Sequence, residues 1–254
     1  MIRFKIAVLT GASSGLGQEF FKNLETLEDI DQIWIIARRA DKLEQMARDA
    51  KIQTRAIPLD LSQKNCLDRF SDILEQEKPD IRILINNAGF GKLGYIYDMD
   101  YSEQSEMIAV NNTALTVLCV ICLKYMHEKS FIINVASIAA FVPNPRMSVY
   151  CSTKAYVLSF TKCIRQELKP RKINAFAVCP GPMATEFLDV AGISGGKSKT
   201  FERLPYCNAS KVAKKSLEYA RKGRAVYTPK LFYKFYRVLC RILPHGFVMK
   251  FSKT

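Results

Sequence analysis

A chain of 254 residues with 48% apolar side chains has the material for one large core or two small ones. Its net charge of +14 invites a nucleic-acid reading, but no nucleic-acid-binding motif accompanies the charge and no such partner is expected. No apolar run near about 18 residues is present and Met1 to Lys5 leads straight into a strand pattern, so neither a spanning helix nor a signal peptide is expected, and a cytoplasmic protein is.

In chain order, Phe4 to Leu9 reads as a short apolar strand. Thr10-Gly-Ala-Ser-Ser-Gly-Leu-Gly17 follows, and then a helical pattern carried by Phe20, Phe21, Leu24 and Leu27. A glycine-rich turn between strand and helix lets backbone N–H groups approach a pyrophosphate. The spacing is G-x-x-x-G-x-G, so the strand and helix around the turn carry more weight than the glycines themselves. Gln32 to Ala37 is the second strand. It runs into Arg38 and Arg39, where an acidic residue would suit ribose hydroxyls and arginine suits a 2′-phosphate. NADP(H) is therefore expected rather than NAD, with Arg38 the better candidate because it lies closer to the strand end.

Thr54 to Leu59 is a third strand, followed by Asp60-Leu61 and a helix to about Glu77. Asp60 suits either an adenine amino group or a helix cap. Ile81 to Ile85 is the fourth strand, closed by Asn86-Asn-Ala-Gly89. Gly89 permits close backbone approach, and Asn86 can bridge neighbouring strand ends. A long helix is expected from about Glu103 to His127, with Asn111 and Asn112 interrupting its apolar face. A buried Asn in a helix has a specific polar task. The same helix carries Cys119-Val-Ile-Cys122. There is no second cysteine pair at zinc spacing, and the only histidines are His127 and His245, so core packing and no metal are expected. The eight cysteines are read as reduced thiols, since a chain of this size needs no disulfide staples.

Phe131 to Ser137 reads as a buried strand with the Ser137 hydroxyl at its C-terminal end, where open parallel sheets place ligands. Tyr150 and Lys154 are four residues apart, so on a helix they share one face, one turn apart. An ammonium beside a phenol is expected to lower the phenol's pKa and give a proton carrier usable near neutral pH. Ile173 to Cys179 is the sixth strand, followed by Pro180 to Thr185. Val190 to Thr200 is small and basic and suits a lid over a pocket as well as a plain surface loop. Strands alternating with helices indicate an α/β fold, a doubly wound parallel sheet in three α/β/α layers, the Rossmann fold. A single domain is expected over 1–254, with a substrate loop at about 186–206 and a C-terminal extension at about 229–254.

These motifs, in this order, resemble the short-chain dehydrogenase/reductase family from Lys5 to about Tyr227. The resemblance implies cofactor contacts from the turn residues Thr10, Gly11, Ser13, Ser14, Gly15, Leu16 and Gly17. It adds Asp60 and Leu61, then Asn86, Asn87, Ala88 and Gly89, and finally Pro180, Gly181, Met183 and Thr185. Family members with Ala-Arg-Arg at the second strand end generally use NADPH, which agrees with the charge argument for Arg38 and Arg39. Asn111, Ser137, Tyr150 and Lys154 match the family's catalytic set. By that resemblance Tyr150 exchanges a proton with the substrate oxygen and Ser137 hydrogen-bonds it. Lys154 lowers the Tyr150 pKa and binds the nicotinamide ribose, and Asn111 holds a water in a relay to Lys154. Family members usually pair through the helices bearing Asn111 and Tyr150, so a homodimer or homotetramer is expected.

The tail, with Gly223 to Pro229 and then an aromatic basic helix, looks more like the branch of hydroxysteroid dehydrogenases and long-chain oxoacyl reductases. The expected substrate is a small lipophilic secondary alcohol or ketone. A hydroxysteroid or bile acid comes first and a long-chain oxoacyl thioester second, against a non-catalytic NADP-binding sensor as the rival from another class. Val142, Pro143, Met147, Met183, Phe187 and Leu188, apolar and flanking the motifs, are expected to wall its pocket. From Lys230 to Leu243 apolar residues recur at helical spacing, with Lys230, Lys234, Arg237 and Arg241 opposite. The apolar face is expected to pack over the pocket or a neighbouring subunit, with peripheral contact to anionic lipid as the alternative. After Glu218 there are nine Lys and Arg and no acidic residue, which leaves +5 for the rest of the chain, 14 minus 9.

Overall fold

Six apolar runs become strands in the computed structural model of the protein, which describes residues 4–193, 201 and 204–250. They are β1 (Lys5–Thr10), β2 (Gln32–Ala37), β3 (Gln53–Pro58), β4 (Asp80–Asn86), β5 (Phe131–Val135) and β6 (Asn174–Val178). A seventh, β7 (Val226–Tyr227), is only two residues long, too short to show a period in the sequence. All seven pair in parallel in the order β3-β2-β1-β4-β5-β6-β7.

The inner strands are near-continuous apolar runs because both sheet faces are covered, while the edge strand β3 carries Gln53, Thr54 and Arg55 and is only partly buried. Successive residues feed opposite cores: Ile6 and Val8 pack with Trp34, Phe70 and Leu118, while Ala7 and Leu9 pack with Phe20, Ile35 and Phe176. On the second side lie α1 (Gly15–Leu24), α2 (Ala40–Arg48) and α8 (Ala209–Arg221). On the first lie α3 (Lys64–Glu77), α5 (Leu115–Leu123) and α6 (Ser148–Glu167). The three-layer Rossmann fold is the one expected. The strand order reverses between β1 and β4, and a crevice opens there at the C-terminal strand ends.

The long helix departs from the expected Glu103–His127. It consists of α4 (Tyr101–Ile108), a π-helical turn (Ala109–Ala114) and α5. Asn111 sits in the π turn, a distortion that recurs at functional sites. Contrary to the sequence expectation, Tyr101–Leu123 is long and apolar enough to cross a membrane, with a mean hydropathy of 1.8. Its Met107, Asn111, Leu115, Leu118 and Cys122 are nevertheless buried in the body of the fold, as in a core helix. Downstream come α7 (Phe187–Val190), α9 (Leu231–Ile242) and α10 (His245–Met249). Of the expected lid, Ser194 to Thr200 lie outside the described residues.

Candidate active site

The glycine turn is held from below by two side chains. Thr10 Oγ1 accepts hydrogen bonds from the backbone N–H groups of Asn87 and Ala88, both at 3.0 Å. Asn87 Nδ2 donates to the carbonyls of Thr10 at 3.1 Å and Gly11 at 3.0 Å. The ends of β1 and β4 are thus locked together. Gly11 adopts φ of +65°, and a Cβ on Gly17 would stand 2.0 Å from the Gly11 carbonyl oxygen. Main chain therefore lies bare along this rim. A cofactor pyrophosphate fits such a cradle: Gly11, Ser13, Ser14, Gly15 and Leu16 line the cleft at the start of α1.

Three residues expected to touch cofactor instead shape the cradle. Thr10 is 1% exposed with its hydroxyl fully used, Gly17 faces Gly11, and Asn86 is buried beneath the site. Asn86 Nδ2 donates to Asn134 Oδ1 at 2.9 Å, and Asn134 Nδ2 donates to Thr161 Oγ1 at 2.9 Å. This chain of amides ties β4 to β5 and α6.

The two arginines have separate partners. Arg39 is the N-cap residue of α2 in extended backbone, and its guanidinium returns to the glycine turn. It donates to the Ser13 carbonyl at 3.0 Å and the Ser13 hydroxyl at 3.2 Å, and pairs with Glu186 at 2.9 Å. That contact holds the Glu186 carboxyl below its usual range. Arg38 instead reaches Glu106 at 3.3 Å and leaves most of its side chain in solvent. Both line the cleft, but Arg39 is the residue built against the turn. Asp60 lines it too and accepts from the Ser62 N–H at 3.0 Å and hydroxyl at 2.8 Å. It forms an Asx-turn ahead of α3, whose N-cap position belongs to Gln63. Leu61, Asn87, Ala88 and Gly89 complete this wall, with Pro180, Gly181, Met183 and Thr185 facing them.

Ser137, Tyr150 and Lys154 converge on the cleft between these walls. β5 ends at Val135, two residues before Ser137, which is extended and uses its hydroxyl to accept from the Ala139 N–H at 3.1 Å. Tyr150 and Lys154 come from consecutive turns of α6. Lys154 Nζ donates to the Val135 carbonyl at 2.9 Å and lies 5.8 Å from the centre of the Tyr150 ring. Burial presses both groups toward their neutral forms. The phenol is pushed up, opposed by its hydrogen bond to Ser137, and the ammonium is brought down from 10.5 to about 8. The Tyr150 pKa is thus raised where the sequence led to a lowered one, because desolvation outweighs the hydrogen bond to Ser137.

Asn111 does not line the cleft. Its Oδ1 accepts from the Phe90 N–H at 3.1 Å, and its Nδ2 donates to the Phe90 carbonyl at 2.9 Å and to Thr153 Oγ1 at 3.0 Å. The π turn presents this side chain as a clamp between the β4 loop and α6. Gly89 makes room for it, since a Cβ there would stand 2.8 Å from Asn111 Oδ1 and 3.3 Å from Lys154 Nζ.

The cleft holds about 660 Å³ and continues past Tyr150 into an apolar chamber. Of the apolar residues that flank the motifs, Met147, Met183, Phe187 and Leu188 line it. Val142 and Pro143 do not: Val142 is buried in the core under the sheet, and Pro143 is exposed. The far wall is α9 and α10, through Phe232, Tyr233, Tyr236, Leu239, Leu243 and Val248. Sequence reasoning missed Tyr233 and Tyr236 because it followed the fully apolar residues of the helix and left its tyrosines out. It also missed Asn144, which lines the cleft with its Oδ1 buried and without a hydrogen-bond partner among the described residues.

A family model described as short chain dehydrogenase matches residues 5–192. The chain belongs to this family. It is an oxidoreductase of the group that acts on CH–OH groups with a nicotinamide nucleotide. It is 32% identical over 203 residues to an NADP-dependent 3-hydroxy acid dehydrogenase of Schizosaccharomyces pombe, covering 77% of each chain. A short-chain dehydrogenase from Sphingobium yanoikuyae in complex with NADPH shares the fold at TM-score 0.77 and 24% identity, over 94% of this chain and 96% of that one. A short-chain dehydrogenase/reductase from Burkholderia phymatum in complex with NAD does so at TM-score 0.80 and 20% identity, over 100% and 98%.

Proposed function

We propose that the protein is an NADP(H)-dependent reductase of a lipophilic ketone, reversible to the secondary alcohol, with a hydroxysteroid or bile acid as first candidate and a long-chain oxoacyl thioester as second. The observation that carries the reading is the continuity of one cleft, from the Arg39–Ser13 corner past Tyr150 to the aromatic wall of α9. A guanidinium fixed beside a serine hydroxyl suits a 2′-phosphate. A chamber walled by Met147, Phe187, Tyr236 and Leu243 suits a hydrocarbon skeleton.

When bound, the nicotinamide supplies the hydride that adds to the carbonyl carbon. Tyr150 gives the proton that the carbonyl oxygen takes up. Its raised pKa keeps the phenol protonated across the neutral range, the form that reduction consumes. Ser137 donates a hydrogen bond to the same oxygen, and Lys154 presents a positive charge beneath both. Asn111, with its protein partners fixed, positions Phe90 and Thr153 near Lys154. Exposed Ile108, Val120 and Tyr156 on α4, α5 and α6 support pairing of two copies through those helices.

The test is NADPH oxidation, followed by absorbance, against bile-acid and steroid ketones, long-chain oxoacyl thioesters and small polar ketones, with NADH in parallel. Turnover of a lipophilic class with preference for NADPH is expected. Turnover confined to polar ketones would overturn the substrate reading. Tight NADPH binding without turnover of any class would favour the sensor.

A further inference from the structure

The apolar face expected for α9 is divided: Phe232, Leu239 and Leu243 line the chamber, and the rest of it faces outward. Tyr233, Tyr236 and Cys240 point inward, and the Tyr233 hydroxyl donates to the Pro205 carbonyl at 2.9 Å. Leu231, Phe235, Val238 and Ile242 form a stripe at helical spacing on the outside, each at least half exposed: 81%, 67%, 56% and 73%. Lys230, Lys234 and Arg241 flank this stripe and are exposed. Four large apolar side chains in a row on a surface helix form a patch that calls for a partner.

We propose that this ridge docks the protein on a membrane surface carrying anionic lipid. Three observations select that occupant. The chain after Glu218 has nine Lys and Arg and no acidic residue, so a second copy seated on the ridge would bring like charges together, whereas anionic headgroups complement them. The ridge is one 12-residue helix with apolar side chains outward and cations beside them, the pattern of a helix lying in a lipid interface. Its edge is continuous with the chamber. Phe232 and Leu239 lie one helical turn from Phe235 and also line the cleft, so apolar surface runs unbroken from the ridge to the site. A lipophilic compound dissolved in the bilayer thereby meets the mouth of the chamber without crossing water.

Binding itself does not rest on the proposed reaction, and its test uses neither cofactor nor substrate. The full chain is sedimented with vesicles of phosphatidylcholine alone and of phosphatidylcholine mixed equally with phosphatidylglycerol. Binding to the mixed vesicles, weakened by salt, is expected, with little to the neutral ones. Two double variants address the ridge without touching the chamber lining: Phe235→Ser with Ile242→Ser, and Lys234→Glu with Arg241→Glu. Each should lower the vesicle partition coefficient at least about tenfold while keeping the melting temperature. The charge pair serves if the apolar pair fails to fold. Absence of binding to anionic vesicles, or binding that survives both variants, overturns the proposal. So does light scattering that shows the ridge variants splitting a dimer, since a second copy would then cover the face.

Discussion

At its cofactor end the cleft is walled by main chain, and at its substrate end by side chains. A Cβ added at Gly17 would strike the Gly11 carbonyl, which cannot move without dismantling the β1–α1 turn. A Cβ added at Gly181 would strike the ring of Tyr233, a side chain on α9. The first end is fixed by backbone that Thr10 and Asn87 lock in place, and the second can be resized by changing one aromatic residue. One fold can thus keep its cofactor chemistry while the chamber varies. Tyr150 stands where the two regimes meet.

The largest effect is expected at that junction. Tyr150→Phe removes only the transferable proton, and kcat should fall about three orders of magnitude with the NADPH dissociation constant nearly unchanged. Steady-state rates and fluorescence titration check both halves.

Lys154→Met sharpens the electrostatic side of the comparison. A fall of the folded pKa from 10.5 to about 8 means that burial of the ammonium costs about 3 kcal/mol when both states are charged. Below pH 8 the full cost is present. Between about 8 and 10.5 the unfolded chain holds the proton and the folded one does not, so stability rises with pH and the cost fades. Lys154→Met should therefore abolish turnover yet raise the midpoint of urea unfolding, most clearly below pH 8, less whatever the Val135 carbonyl loses as a hydrogen-bond partner. A lower midpoint would refute burial as the dominant influence on Lys154.

Gly17→Ala attacks the rigid end. It should cost about 2 kcal/mol of stability and weaken binding of both nucleotides, because the turn must open to admit the methyl group. Arg39→Ala should raise the KM for NADPH about ten- to a hundredfold and leave NADH little changed. Arg38→Ala should have the smaller effect, since its side chain is 65% exposed and its partner is Glu106. The reverse order would return the 2′-phosphate site to Arg38. The smallest effect belongs to the adjustable end. Tyr233→Phe loses one hydrogen bond to Pro205, worth about 1 kcal/mol, and should shift the KM for the ketone more than that for NADPH.

The contrast also explains what was legible in the sequence. The strands and the glycine turn were legible because both sheet faces are buried and the turn is a local event. Ser137, Tyr150 and Lys154 could be grouped because helical spacing and a strand end place them. Their pKa values could not be read, since desolvation depends on Gly89, Gly91 and Phe187 closing around the site from distant parts of the chain. The different partners of Arg38 and Arg39 were not legible, because they depend on α2 beginning at Ala40 with Arg39 as its N-cap residue. Val142 and Pro143 were misplaced because nearness in sequence to Tyr150 is not nearness to the cleft. The chamber wall was least legible. The periodicity of α9 marks an amphipathic helix, yet the body of the protein receives Tyr233, Tyr236 and Cys240, while Leu231, Phe235, Val238 and Ile242 remain outside.

The most direct test of the central claim follows the hydride itself. Protein, a lipophilic ketone and NADPH carrying deuterium at the nicotinamide C4 position are incubated, and the alcohol is analysed by mass spectrometry. The account predicts deuterium on the carbinol carbon from one of the two C4-labelled epimers, formed about a thousandfold more slowly with Tyr150→Phe. Alcohol formed without deuterium from either epimer would contradict it.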